Sequence, residues 1–213
     1  MEAARAGAWN ERVLPRLEDP ATARVSAVLI LFGVLDNIPA RTVDAAVAAD
    51  LDVLLQRRAP TLSSHPGQVS FPGGGREPGD RDFVDTALRE AEEETGLDPT
   101  GVEVLATLPE LPLAASNHLV TPVLGWWTTP SKVAAVDHAE TVEVFRVPVA
   151  QLLDPATRYT STLSRGGVTF TGPAFDVDGT IVWGFTAMVL DRLFDACGWT
   201  VPWNRDDLRP VTV

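Results

Sequence analysis

FPGGGREPGDRDFVDTALREAEEETGL, running from Phe71 to Leu97, is the stretch on which the reading of this chain turns. Three glycines open it, Pro78-Gly79 and an acidic turn follow, and a carboxylate-rich segment ends at Gly96. Asp82 stands where a helix N-cap belongs, Asp85 follows three residues on, and Gly96 supplies a C-terminal stop. A helix between them turns about 100° per residue and sorts its side chains. Val84, Ala87, Leu88, Ala91 and Thr95 fall together and predict the face that packs on a core. Glu90, Glu93 and Glu94 share the adjoining flank, while Glu92 and Asp85 point toward solvent.

That flank is a poor choice for stability. Glu90 and Glu94, at i,i+4, repel by about 0.2–0.5 kcal/mol. Acids in the last turn oppose the helix dipole by about 0.3–1 kcal/mol each. Arg89 relieves part of this through Glu93 at i+4, but eight acids and three arginines between Arg76 and Glu94 leave a net charge of −5. A hard divalent cation held by carboxylate oxygens resolves the imbalance, and the carbonyls of the glycine turn lie close enough in sequence to help. The plainer alternative is a solvated acidic face. It leaves the glycine turn and the clustering on one flank without a reason.

The full chain has 213 residues and is 45% hydrophobic, enough for one well-buried core, so a single domain over 1–213 is expected. A formal net charge of −12 argues against a nucleic-acid partner, which wants a basic surface. It does not exclude a small anionic substrate, because bound metal reverses the local field. The sole cysteine, Cys197, allows no internal disulfide and reads as a cytosolic helix residue without a reactive role. The longest apolar run, Val25 to Leu35, is too short for a bilayer, which needs about 20 residues. With Glu2, Arg5 and Glu11, the N-terminus lacks the apolar stretch of a signal peptide. A cytoplasmic protein with no membrane partner is the expectation.

Along the chain, residues 8–17 predict a short amphipathic helix and 24–35 a central strand. The 36–50 segment reads as a loop or insertion with a helical turn over 42–49. Strands are expected over 51–58, 69–71, 102–108, 119–127 and 143–147, with Pro122 making the fourth of these irregular or placing it at an edge. A short helix follows over 149–153. Residues 166–170 and 174–178 suggest a hairpin pair before a strand at 180–183, and 184–197 a final helix with Phe185, Met188, Val189, Leu193 and Ala196 on one stripe. The tail is expected to be ordered only where Trp199 and Trp203 dock. Strands interrupted by two substantial helices make this an α/β protein with a mixed sheet.

The 71–97 stretch resembles the Nudix box, G-x5-E-x7-R-E-U-x-E-E-x-G-U with U aliphatic. Arg89-Glu90-Ala91-Glu92-Glu93-Glu94-Thr95-Gly96-Leu97 follows its second half without departure. The first half differs. Asp80 stands six residues after Gly74 in place of Glu, and eight residues rather than seven separate it from Arg89. This variant is similar to one branch of the family, the coenzyme A pyrophosphatases. Leu54-Leu55-Gln56-Arg57-Arg58-Ala59, then Gly67 and Phe71-Pro72-Gly73-Gly74, follow that branch's L-L-T-x-R-[SA]-x3-R-x3-G-x3-F-P-G-G. Gln56 replaces its Thr and Ser63 its second Arg. Downstream, Val120 to Gly125, Glu140 to Pro148, Leu152 to Pro155 and Trp183 to Ala187 resemble further segments of the branch in family order. The likeness spans about residues 50–190.

The resemblance implies a Nudix-type α/β/α sandwich with a mixed β-sheet and the box as a loop–helix–loop at its mouth. It implies Mg²⁺- or Mn²⁺-dependent hydrolysis of a nucleotide diphosphate linkage, which needs charge neutralisation and an activated water. Glu90 and Glu94 are the expected metal ligands, with Glu93 and the Gly74 carbonyl as partners and Arg89 as the orienter of Glu93. Arg58, matching the branch's first arginine, is the candidate phosphate or nucleotide anchor, with Arg57 as a neighbour able to share the role. The general base comes from the box, as Glu93, or from a later loop, as Glu140. His65 occupies a place where the branch often has His, whereas His118 and His138 read as solvent-exposed. Coenzyme A or an acyl derivative is the leading substrate. ADP-ribose or another nucleoside diphosphate conjugate is the alternative, kept open by Ser63. A non-catalytic nucleotide-binding module would be expected to lose box carboxylates, and all three remain on the inner flank.

Overall fold

The computed structural model describes residues 17, 19–34, 50–62 and 65–212. The helix expected over 8–17, the 36–49 segment and Ser63 lie outside the described residues, Leu17 apart. The described residues group into two compact units, one built on 19–34 and 51–146, the other on 147–212 with Asp50.

In the first unit, β1 (Arg24–Val34) and β7 (His118–Trp127) run parallel at the centre of an eight-stranded mixed sheet. The strands between them are β2 (Leu51–Arg58), β3 (Val69–Ser70), β4 (Gly73–Gly75), β5 (Val102–Thr107) and β6 (Leu111–Leu113), with β8 (Thr141–Pro148) after β7. β2 and β4 both pair antiparallel with β1, at opposite ends: Phe32 to Val34 meet Leu51 to Val53, and Ser26 to Val28 meet Gly73 to Gly75. The glycine run is therefore a strand rather than the expected turn. At position 73 only glycine permits it, because a Cβ there would lie 2.3 Å from the Ala27 carbonyl oxygen.

Pro122 was expected to disturb or mark an edge, yet it sits in the central strand. Its carbonyl accepts from Leu108 N at 2.8 Å, so its ring nitrogen faces the same side. There β5 pairs no further than Val123 and β6 begins at Val120, and the missing donor falls in the gap between them.

Helix α1 (Phe83–Thr95) covers one face of this sheet. Asp82 accepts from the N–H groups of Val84 and Asp85 at 2.9 and 3.0 Å, and Gly96, in the left-handed region at φ 68°, returns its N–H to Glu92. Ala87 and Ala91 pack fully buried against Ala27, Leu29, Leu31, Leu54, Val123 and Trp127, with Val84 and Leu88 at the margin. Burial of these apolar side chains at about 25 cal/mol per Å² holds the helix to the sheet. Asp85 differs from expectation: it turns back to Arg81 in an ion pair at 2.5 Å rather than pointing freely outward.

The second unit holds α2 (Val149–Leu153), β9 (Arg158–Arg165), β10 (Val168–Val177), β11 (Thr180–Val182), α3 (Gly184–Cys197) and β12 (Leu208–Pro210). Its four strands form a second sheet, in the order β11-β10-β9-β12. The expected hairpin of 166–170 and 174–178 is instead the single strand β10, continuous through Gly172-Pro173 and paired along its length with β9. α3 is buried on more than one face: Val189 and Leu193 of the expected stripe are buried, but so are Ala187, Leu190, Phe194, Asp191 and Arg192, while Phe185, Met188 and Ala196 are only half-buried. Arg158 explains the buried acid. It pairs with Asp191 and lies between the rings of Phe175 and Trp203, so the tail docks through Trp203 and then adds β12 beside β9.

Candidate active site

On α1, the three glutamates expected on one flank separate sharply by environment. Glu94 is 8% exposed, the Glu90 side chain 17% and the Glu93 side chain 58%. Position 94 faces the sheet because β2 leaves a polar partner there. Side chains alternate along a strand, so Leu54, Gln56 and Arg58 share the helix-facing side. Leu54 enters the core, and fully buried Gln56 donates from Nε2 to Glu94 Oε2 at 2.6 Å. Gly73 N–H donates to the same oxygen at 2.9 Å. Even so, burial pushes the Glu94 carboxyl up to about 7, with the nearby Glu90 charge adding to the rise and these two donors and Arg58 opposing it.

Glu90 lies against the glycine strand. A Cβ on Gly74 would come within 2.5 Å of all three atoms of the Glu90 carboxyl group. Burial raises its affinity for a proton as well, and Arg89, at 3.1 Å, counters this. The helix thus brings two desolvated carboxylates, one turn apart, down onto the backbone of β4.

Arg89 is the centre of a separate clamp. Its guanidinium takes both oxygens of Asp80 at 3.0 and 3.1 Å, the Gly75 carbonyl at 3.0 Å and Glu93 at 3.0 Å. Asp80 also accepts from Thr86 Oγ1 and Glu77 N. Arg89 first, and then these donors, hold the Asp80 carboxyl well below the usual carboxylate range. Asp80 has no function in the sequence reading beyond its place in the pattern. In the structure it is the principal partner of Arg89 and ties the loop before α1 to the helix.

The NUDIX domain family matches residues 39–163. A Nudix hydrolase, NudL, of Photorhabdus laumondii is 36% identical over 141 residues, spanning 66% of this chain and 74% of that protein. The NudL of Yersinia enterocolitica is also 36% identical, over 66% of this chain and 71% of its own length. Both bear the description "uncharacterized". The chain belongs to the Nudix family. The fold agrees: the crystal structure of RenU, a Nudix hydrolase from M. smegmatis, superposes with a TM-score of 0.54 at 19% identity, covering 85% of this chain and 90% of that one. Nudix hydrolases act on nucleoside diphosphate derivatives and generally use divalent ions such as Mg²⁺ or Mn²⁺.

The Nudix box here suits a hydrated ion better than a closed cage. Among the described residues no three His, Cys, Asp or Glu side chains are arranged around one point as a ready cation site. On the helix, Glu93 is engaged by Arg89. Two half-desolvated carboxylates beside a glycine backbone nonetheless match Mg²⁺, which keeps several waters and takes few protein carboxylates. Both are held against their preference for being charged, and a cation would relieve that.

The other expected residues divide. Arg58 shares the helix-facing side of β2 with Gln56, its charge reaches Glu94, and its buried Nε has no hydrogen-bond partner among the described residues. Arg57, on the opposite side, is engaged by Glu143 at 2.6 Å. Glu140 is exposed on the turn before β8, and its carbonyl accepts from Ala59 N at 2.8 Å, which places that turn beside the end of β2. His65 is half-buried, with Nδ1 against Gln68 at 3.0 Å, and burial lowers its affinity for a proton. His118, expected in solvent, is half-buried and its Nδ1 contacts Ser116.

Proposed function

We propose that this Nudix protein hydrolyses the diphosphate linkage of coenzyme A or an acyl derivative, releasing 3′,5′-ADP and a 4′-phosphopantetheine. One observation carries the reading. The two stretches that carry the coenzyme A-branch signature, Leu54 to Ala59 and Phe71 to Gly74, converge on a single box carboxylate: Gly73 N–H donates to Glu94, and Arg58, the first arginine of the signature, bears on the same carboxylate from β2. A signature whose separate parts build one site is more than a string match.

Glu90 and Glu94 would hold the Mg²⁺ or Mn²⁺, joined by the Gly74 carbonyl and by Glu93 once it swings from Arg89. An ion held there would supply charge for the phosphoryl oxygens and a more nucleophilic water at neutral pH. Arg58, whose buried Nε has no hydrogen-bond partner among the described residues, is the anchor for a phosphate. Arg89 sets the resting position of Glu93 and braces the box through Asp80. Glu140 takes the proton from the attacking water, and Glu93 is the other carboxylate on hand for that step. Arg57 is tied to Glu143, so it contributes field rather than a free anchor. Ser63, in place of the branch's second arginine, favours a second reading in which ADP-ribose or a related nucleoside diphosphate is preferred. Comparing coenzyme A with ADP-ribose as substrates, with the products identified, separates the two.

A further inference from the structure

Gln56 is a departure from the coenzyme A-branch pattern, and nothing in the box motif assigns it a task. It is nonetheless 0% exposed, and its amide is used at both ends. Nε2 donates to Glu94 Oε2 at 2.6 Å, and Oε1 accepts from Thr141 Oγ1 at 3.3 Å. The ionised Glu94 carboxylate only accepts, so the amide nitrogen faces α1 and the amide oxygen faces β8, where the Thr141 hydroxyl donates to it. The side chain is therefore locked in one of its two flips.

The consequence falls on Glu94. Oε2 receives two donors, one from β2 and one from the backbone of β4, while Oε1 has no hydrogen-bond partner among the described residues. A carboxylate on a flexible stem would otherwise rotate between several rotamers. Two donors on one oxygen fix its plane and direct the other oxygen away from the sheet.

We infer that Gln56 is the positioning residue for Glu94, fixing the carboxylate so that Oε1 alone is presented to the cation. The inference rests on the metal role proposed for Glu94 and does not depend on which nucleotide is hydrolysed. Gln56 also joins that carboxylate to the residue next to Glu140, so one buried amide spans the metal-holding helix and the turn that carries the base. Partners of this kind around a metal ligand typically change affinity by about 10–100-fold when removed.

The test is Mn²⁺ binding to the full chain, followed by electron paramagnetic resonance without substrate, for wild type, Gln56→Met and Glu94→Gln. Methionine keeps the length and volume of glutamine but donates nothing. Gln56→Met is expected to bind Mn²⁺ about 10–100-fold more weakly, to lose kcat, and to keep the substrate KM and the circular dichroism spectrum of wild type. Should it fail to fold, Gln56→Asn, which keeps the amide but shortens its reach, is read with the same expectation. A folded Gln56 variant with Mn²⁺ affinity within about twofold of wild type overturns the inference, provided Glu94→Gln binds weakly. If Glu94→Gln itself binds Mn²⁺ like wild type, the metal role of Glu94 fails and the inference fails with it.

Discussion

The Glu90 carboxyl lies so close to Gly74 that a Cβ on that glycine would stand 2.5 Å from it. The obstruction is the free end of a flexible side chain, so an added methyl would displace the carboxylate rather than the backbone. Gly74→Ala should therefore fold and melt within a few degrees of wild type, yet bind Mn²⁺ at least about tenfold more weakly. Calorimetry together with metal titration checks both halves. Unchanged metal binding would show that Glu90 is not held against Gly74 for that purpose.

Glu94 gives the protein a distinct pH dependence when metal is absent. Its folded carboxyl is raised from an ordinary 4.5 to about 7, chiefly by burial. A raised acid contributes stability that is present in full below pH 4.5 and lost as pH climbs through about 7. Chelator-treated wild type should thus lose stability between about pH 5 and 8 relative to Glu94→Gln, by about 2 kcal/mol at the upper end. Parallel denaturant titrations at both pH values would reveal it. A difference that stays constant with pH contradicts the assignment.

Glu140 has a kinetic signature. If it takes the proton from water, Glu140→Gln should lower kcat by about 10²–10⁴ and leave Mn²⁺ affinity close to wild type. A rate that does not change moves the role to Glu93.

The helix of the box was legible because its signals are local. Asp82, Gly96 and the spacing of Ala87 and Ala91 each act within a turn or two, and the structure uses them as the periodicity predicts. The glycine strand was not legible. Three glycines carry no β propensity, and β4 exists because β1 pairs with it, with Gly73 so close to Ala27 and Val28 that a Cβ there would clash. Pro122 misled for a related reason, since its fitness for a central strand depends on where β5 stops and β6 starts. The second sheet was only half visible, because Pro173 within β10 reads as a break until β9 is known to pair across it.

In the site, helical angles placed Glu90, Glu93 and Glu94 on one flank but could not rank their burial. That ranking comes from what faces them: Gln56 and Gly73 at Glu94, Gly74 at Glu90, and Arg89 at Glu93. Gln56 lies 38 residues from Glu94, and its role has no signal in the sequence beyond its place on the helix-facing side of β2. Asp80 was marked only as a substitution, since a contact with Arg89 nine residues on is set by the path of the intervening loop.

The substrate is measured by a panel. Coenzyme A, an acyl-coenzyme A, ADP-ribose, NADH and a diadenosine polyphosphate are supplied at equal concentration with Mg²⁺ or Mn²⁺, and the products are identified by mass. The highest kcat/KM is expected for coenzyme A or its thioester, with 3′,5′-ADP and the matching 4′-phosphopantetheine as products. A tenfold or greater lead for ADP-ribose or a dinucleotide would contradict it.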